Sequence, residues 1–272
     1  MVDFRSLQIE HFAEQVGYQH QRIYGSGEKT LLQNTLNLSR MALSKMAASN
    51  SLFFNVNHTK RAGIMALQLL DGVLHQRGSV DPTLFLNLIV STLFSHVGLV
   101  GGILQEDEVR PNQPKEKYYI GDGEFQTFFG PSSNSVLWPF YINRSLLYIE
   151  RNLSSVEYLN TEHIISAVKN SDVSLKSSTA NRQEISYHAR SAHVLSYTTQ
   201  SQYHQWLVRL YRSLEEANLL DRYGFSDLGE FRKNYGAYFW KNLYSDLAHS
   251  IPLFNETGEG RHLLAMLYSR MN

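Results

Sequence analysis

Hydrophobic residues recur at the spacing of an amphipathic α-helix along most of this 272-residue chain. The spacing predicts a first helix over residues 30–48 behind a Thr30 cap, with Leu36 on its buried face. A second predicted helix begins just after His58 and ends at Gly78, because glycine suits the left-handed conformation of a helix C-terminal cap. We expect both segments to be core helices.

A third helix is predicted to run from Asp81-Pro82, an N-cap residue followed by proline at the first helical position, to His96. Its residues are apolar on nearly all sides, which predicts a central position in the core. Helical patterns resume later in the chain, and Asp227 and Glu230 predict a capping box. The later helices are predicted over about residues 140–152, 161–170, 184–218 with a break, 227–249 and 259–271.

Between residues 105 and 137 the helical pattern gives way to prolines and glycines that enclose two aromatic runs, KYYI and EFQTFF. The Gly-Asp-Gly between these runs predicts a small β-hairpin at residues 117–129 on an extended loop. A Ser/Thr/Asn-rich stretch at residues 174–183 predicts a second loop. No repeat or change of composition divides the chain, so we expect one all-α domain spanning residues 1–272 with a hairpin insertion.

Composition narrows the classes of function. The 25 Lys and Arg residues balance the 25 Asp and Glu residues, so no net charge favours binding to nucleic acid or to an acidic membrane surface. The absence of cysteine excludes thiolate metal ligands, cysteine nucleophiles and disulfide bonds. Neither a signal peptide nor an apolar run long enough to cross a bilayer is visible, and we therefore expect a cytoplasmic protein.

Two segments resemble the opening of an HD-domain metal-dependent phosphohydrolase. The first, FFNVNHTKRAGIMALQLL, has a histidine at the start of a helix after an aromatic-Asn stretch. The second, LIVSTLFSHVGLVGG, ends an apolar helix where that family has Leu-Phe-His-Asp-hydrophobic-Gly. The late segments FRKNYGAYFWKNLYSDL and TGEGRHLLAMLYSRM are similar to the C-terminal helices of a bacterial branch of the family. The resemblance covers nearly the whole chain and implies an HD-like multi-helix bundle.

The resemblance also implies a metal site whose ligands have changed in this chain. The family holds its metals with a first histidine, an adjacent His-Asp pair and a distant aspartate. His58 matches the first histidine, whereas Ser95-His96 stands at the pair and His193 at the distant aspartate. Three of the four ligand positions are therefore substituted, and the loss of two carboxylates weakens binding of hard Mg²⁺ or Mn²⁺ ions.

The three histidines allow two interpretations. Three imidazoles and a water form a recognised zinc arrangement, so His58, His96 and His193 are candidate ligands of a repurposed metal site. Alternatively, they are hydrogen-bonded polar residues of a former metal pocket. Lys60 and Arg144 are candidate phosphate contacts, although each is also typical of a surface or pocket-rim charge. We expect either no cofactor or a single divalent metal ion, with zinc the most plausible.

Three hypotheses of function follow. The first is a degenerate HD-domain protein, non-catalytic or weakly catalytic, that binds a small phosphorylated or nucleotide-like ligand or a protein partner of unknown identity. The second is a metal-dependent phosphohydrolase that uses a three-histidine, zinc-like site. The third is a helical interaction scaffold, and the sequence alone leaves all three open.

Overall fold

The computed structural model describes residues 4–109, 115–130, 132–173 and 183–272, and these form a helical bundle with one β-hairpin. The predicted all-α class with a small hairpin is therefore confirmed. The predicted loop at residues 174–183 lies outside the described residues except for its last position. The hairpin consists of β1 (Lys115–Gly121) and β2 (Glu124–Phe129). The helices are α1 (Phe4–Tyr24), α2 (Lys29–Met46), α3 (Val56–Arg77), α4 (Pro82–Phe94), α5 (Tyr141–Leu153), α6 (Thr161–Lys169), α7 (Glu184–Thr198), α8 (Tyr203–Glu216), α9 (Leu228–Asn242), α10 (Tyr244–Leu247), α11 (Ile251–Asn255) and α12 (Gly258–Met271).

Helix α4 lies in the middle of the bundle. It packs against α2, α3, α6 and α7, and every residue from Phe85 to Phe94 is buried, as its all-round apolar pattern predicted. Its predicted start is also confirmed, because the Asp81 side chain accepts hydrogen bonds from the backbone N–H groups of Thr83 and Leu84 at 2.8 and 3.1 Å. Because the end of α4 is buried, the residues that follow it, including His96, also lie in the core.

The segment Pro82–Leu99 has the length and the apolar composition of a membrane span, with a mean hydropathy of 1.4. However, 83% of it is buried inside the protein. A core helix of a soluble protein passes the same test of length and composition, since it too is apolar on all sides. The packing of α4 therefore supports a soluble protein.

Helix α1 and the start of α2 differ from the sequence-based prediction. Helix α1 was not predicted, because its few buried apolar residues, such as Phe12 and Val16, alternate with a polar face. The predicted Thr30 cap is wrong. Helix α2 begins at Lys29 after Glu28, which adopts a left-handed conformation (φ 49°) and makes no side-chain capping bond.

The hairpin reverses direction at Asp122 and Gly123, both of which have positive φ (52° and 79°). This backbone matches the right-handed twist of paired strands, which is why Asp-Gly favours such turns. The hairpin packs on α5, and Asp107 accepts a hydrogen bond from the Tyr119 N–H at 2.9 Å. The insertion is thereby attached to the bundle close to the end of α4.

Candidate metal centre

His58 lies in the first turn of α3. Asn55 caps this helix, and its side-chain oxygen accepts hydrogen bonds from the N–H groups of Asn57 and His58 at 3.0 and 3.3 Å. The Asn55 amide in turn donates to the carbonyls of Ser51 and Leu52. The asparagine of the aromatic-Asn stretch therefore fixes the start of α3, and with it the position of His58 in the core.

His96 lies in the turn that follows α4. Ser145 of α5 holds this turn, since its hydroxyl donates to the Ser95 carbonyl at 3.0 Å and accepts from the Gly98 N–H at 2.8 Å. Gly98 allows the close approach, because a Cβ at this position would meet the Tyr141 carbonyl oxygen at 2.3 Å. A small residue and one hydroxyl thus bring the backbone of α5 against the turn that carries His96.

His193 lies in the middle of α7, the helix that packs most extensively against α3. Ser196, one turn later, donates its hydroxyl proton to the His193 carbonyl at 2.7 Å. The same hydroxyl oxygen lies 3.5 Å from Nδ1 of His58. Because its proton is committed to the carbonyl, Ser196 accepts from His58, which leaves Nε2 of His58 as the unprotonated nitrogen.

The structure brings the three predicted histidines together. Each offers one ring nitrogen, and these three atoms lie within 4.8 Å of one another. The ring centroids are 4.4 Å apart for His96 and His193, 5.6 Å for His58 and His193, and 5.7 Å for His58 and His96. All three side chains are at most 1% exposed. Within the described ranges, the group contains no carboxylate.

Four ring nitrogens in this cluster have no hydrogen-bond partner: Nε2 of His58, Nε2 of His96 and both nitrogens of His193. An unpaired buried polar atom costs about 1–3 kcal/mol, so native proteins rarely leave several of them side by side. Three neutral imidazoles offer three lone pairs, so this concentration of unpaired nitrogens indicates that a bound atom or group belongs among the three rings.

All three imidazoles are neutral at neutral pH. Burial is the main cause that lowers the pKa of His58 and His96 well below the usual value, and the neighbouring histidines add to it. Burial, with a contribution from the Arg190 charge, lowers the pKa of His193 to about 3. Neutral imidazole is the form that binds a metal, so ligation here displaces no proton from an imidazolium near pH 7.

The cluster is enclosed by aromatic side chains. Phe54 stacks on His96 with ring centroids 4.2 Å apart, and Tyr141 lies 5.2 Å from the same ring. Phe53 lies 4.8 Å from His58. This shell excludes water and lowers the local dielectric, which strengthens any electrostatic interaction inside it.

A buried ion pair lies behind His193. Arg190, one turn earlier on α7, pairs with Asp246 at 2.7 Å, and the two side chains are 1% and 5% exposed. Arg190 also donates to the carbonyls of Asn170 and Asp172. These bonds fix α7 against α10 and the end of α6, and they thereby fix the position of His193 along α7 relative to the other helices.

Arg144, a predicted phosphate contact, makes all of its hydrogen bonds inside the protein. Its five N–H groups donate to the carbonyls of Gly98, Val100 and Tyr119 and to both carboxylate oxygens of Asp107. The side chains of Arg144 and Asp107 are both 0% exposed. The guanidinium therefore has no donor left for a phosphate, and its geometry makes it a structural link between α5, the His96 turn and the hairpin.

Lys60 is half-buried on α3 near a cationic group that the sequence analysis missed. Arg61 and Arg209 lie over the ring of Trp206, at 5.5 and 5.0 Å from it, and Trp206 lies 6.2 Å from His58. No carboxylate pairs with these three cations among the residues that the structure describes. Burial and mutual repulsion accordingly lower the pKa of both Lys60 and Arg61. Since α3 and α8 are far apart in sequence, these residues come together only in the folded chain, and no local sequence pattern indicates the cluster.

The three histidines fit a borderline transition metal. A point equidistant from atoms 4.8 Å apart lies about 2.8 Å from each, against zinc–nitrogen bonds of about 2.0–2.1 Å. Ring movements below about 1 Å close this difference, and each ring already offers one nitrogen within 4.8 Å of the other two. Hard cations fit poorly, because they prefer oxygen donors and the group has none.

Comparison with known proteins identifies the family of the chain. A family model described as Npun_R2479-like matches residues 2–272, so the chain belongs to that family, whose function is unknown. No curated protein and no solved structure matches the chain. The resemblance to HD-domain phosphohydrolases therefore stays a prediction.

Proposed function

We propose that this member of the Npun_R2479-like family holds one divalent metal ion between His58, His96 and His193, and that it binds zinc in preference to other divalent ions. The observation that carries the proposal is the cluster of four unpartnered ring nitrogens in a fully buried site. The neutral state of the three imidazoles supports it, since each presents a lone pair without first losing a proton. We further propose that the centre serves ligand binding rather than ordinary phosphohydrolysis.

The donor set favours an anion as the remaining ligand. Three neutral imidazoles leave both charges of a divalent ion uncompensated, and the buried carboxylate of Asp246, on the helix packed against α7, is already paired with Arg190. In a site of low dielectric, an anionic oxygen from a small ligand compensates that charge. A phosphorylated or nucleotide-like ligand has the required chemistry.

The cations next to Trp206 support the same class of ligand. Lys60, Arg61 and Arg209 repel one another and have no acidic partner in the described part of the chain. An anion at this position would relieve the repulsion, and arginine is well suited to bind phosphate oxygens. Trp206 contacts both arginines of this group and its ring lies 6.2 Å from that of His58, so the cations lie one side chain away from the histidine cluster.

Efficient phosphate-ester hydrolysis is not favoured. A divalent ion would itself make a bound water nucleophilic, but efficient hydrolysis also needs a second metal ion, or a general acid or base, that assists the leaving oxygen. The described residues of the cluster include no Asp or Glu that would act as a bridging ligand or a base. The three-histidine phosphohydrolase therefore remains the second hypothesis.

The decisive measurement is the metal content of protein purified without a metal-binding tag, by elemental analysis, together with thermal unfolding in the presence of Zn²⁺, Mn²⁺ or Mg²⁺. We expect about one zinc per chain and a higher melting temperature with Zn²⁺ than with the other ions. Replacement of the three histidines together by glutamine removes both effects. His20→Gln is the matched control, because His20 is also a buried histidine but lies outside the cluster.

The other results would separate the hypotheses. No zinc and no thermal shift would contradict the metal centre and favour the helical scaffold. Phosphodiesterase or phosphatase turnover that depends on His58 and His96 would favour the hydrolase. For the anion, binding of inorganic phosphate to zinc-loaded protein should weaken in Arg61→Gln and Arg209→Gln but not in Arg232→Gln, which removes an exposed cation elsewhere.

A further inference from the structure

A cleft lies between α1 and α3, further along α3 than His58. Its volume is about 500 Å³, which is within the range of small-molecule sites. Glu259, in the first turn of α12, also lines it. The residues of α1 and α3 that line the cleft recur every three or four positions, so each helix presents one continuous face to it. On α1 these are His11, Glu14, Gln15, Tyr18, Gln19 and Arg22.

The cleft contains buried amide groups that have no partner. Gln15 and Gln68 each have a carbonyl oxygen without a hydrogen bond, and Gln19 has an unpaired amide nitrogen. Gln19 is only 6% exposed. Facing helices normally bury apolar side chains, and buried polar atoms are normally satisfied. The two unsatisfied carbonyl oxygens, one on each of the facing helices, indicate a site for a ligand that donates hydrogen bonds.

The charges of the cleft select the sign of the ligand. Three carboxylates line it, those of Glu14, Asp71 and Glu259, against one guanidinium, that of Arg22. Arg22 Nη2 lies 2.9 Å from Asp71 Oδ1, but this ion pair forms no directed hydrogen bond, and Oδ1 stays without one. The cleft therefore has more carboxylates than guanidinium groups, and this negative balance attracts a cation and repels a phosphate.

Apolar and aromatic groups complete the cleft. Ile64 and Leu67 of α3 form part of its wall. Tyr18 is 67% exposed, and the Arg22 guanidinium lies 6.0 Å from the centre of its ring. An exposed ring of this kind offers a face to a second cation, and apolar walls suit a methylene chain. A bare metal ion would use neither feature.

We propose that this cleft binds a linear organic polyamine. Its ammonium groups would lie against Glu14, Glu259 and Asp71 and donate to the unpaired amide oxygens of Gln15 and Gln68. Its methylene segments would lie on the apolar wall and on Tyr18. The site is independent of the histidine cluster, so either proposal can fail without the other.

Calorimetric titration of the full chain with spermidine at near-physiological salt tests the proposal. We expect one molecule bound per chain, with binding weakened about fivefold in Glu14→Gln and in Glu259→Gln, as for loss of a partly exposed ion pair. Glu162→Gln is the matched control, since Glu162 is also an exposed glutamate in the first turn of its helix, α6. It should bind spermidine as the unchanged protein does.

Gln68→Leu tests the contribution of the amide acceptors separately from charge. This substitution removes an unsatisfied buried carbonyl oxygen, so the free protein should melt no lower than the unchanged one, while spermidine binds about tenfold more weakly. Equal binding of Mg²⁺ or of an uncharged diol of similar length would overturn the proposal. So would the absence of spermidine binding, or an equal loss of binding in Glu162→Gln.

Discussion

Replacement of Arg144 by methionine should destabilise the protein strongly while leaving metal binding to folded protein in place. Methionine keeps much of the side-chain volume but removes all five hydrogen bonds of the guanidinium. Asp107 then remains at 0% exposure without its counter-charge, and the carbonyls of Gly98, Val100 and Tyr119 each lose a donor. The perturbation therefore combines a lost ion pair with an uncompensated buried charge.

The magnitude follows from this geometry. Breaking a buried ion pair by removing one partner costs about 3–5 kcal/mol, and we expect about 4 kcal/mol for Arg144→Met. A domain is typically stable by only about 5–15 kcal/mol, so this loss is a large fraction of the total. Arg144→Lys should cost less, because an ammonium has three donors where the guanidinium uses five. Asp107→Leu should be comparable to Arg144→Met, for the symmetrical reason.

The double variant Arg144→Met with Asp107→Leu distinguishes the cost of losing the ion pair from the cost of leaving one buried charge without a partner. If the cost comes mainly from the unpaired partner, the double variant is more stable than the sum of the single changes by about 2 kcal/mol or more. The assay is urea unfolding followed by circular dichroism, with the free energy of unfolding extrapolated to water.

Arg151→Met is the control on the same helix. Arg151 also pairs with a glutamate, Glu106, but the two side chains are 41% and 35% exposed, so its loss should cost no more than about 1 kcal/mol. A cost for Arg144→Met that does not exceed that of Arg151→Met would refute the structural role. Normal stability with lost phosphate binding would return Arg144 to the set of ligand contacts.

Two further predictions concern packing and acid stability. Gly98→Ala should destabilise the protein by about 2 kcal/mol or more, because its Cβ would meet the Tyr141 carbonyl oxygen at 2.3 Å. Gly17→Ala in α1 should instead stabilise the protein by about 0.5–1 kcal/mol, because a Cβ there meets nothing within 4 Å. Thermal unfolding of both variants measures the two effects. The pKa of Glu184 is lowered to about 2, by its hydrogen bond to His188 first and by Arg77, so its contribution is present above pH 4.5 and is lost as pH falls towards 2. Since the side chain is 44% exposed, we expect Glu184→Gln to reduce stability at pH 6 by at most about 1 kcal/mol and to flatten its fall between pH 4.5 and 2, measured by urea unfolding across that range; an unchanged slope would contradict this assignment.

Much of the local structure could be predicted from the sequence, because caps and apolar spacing act within a few residues. The Asp81 cap, the Gly78 end and the Asp-Gly turn all depend on backbone groups within one turn, and all three are confirmed. At α9 the prediction holds in part: Asp227 accepts from the Glu230 N–H, but the Glu230 carboxylate bonds to Ser226 instead of returning to Asp227.

Helix α1 shows where pattern alone fails. One face of this helix is polar because it lines a cleft against α3, so its apolar positions are too few to predict a helix. The same polar face carries the proposed polyamine site, with Gln15 and Gln19 unsatisfied inside it. A site residue weakens the very periodicity on which the prediction of the helix depends.

The amino-acid sequence singles out His58, His96 and His193, because their flanking segments resemble one family. The folded chain then brings one ring nitrogen of each within 4.8 Å of the other two, buries all three side chains and places no carboxylate of the described residues among them. It also buries Arg144 with Asp107 and places both Arg61 and Arg209 over the ring of Trp206. Local patterns cannot predict these features, because hydrogen-bond capacity, burial and charge depend on neighbours from distant parts of the chain, whereas helix formation depends on neighbours within one turn.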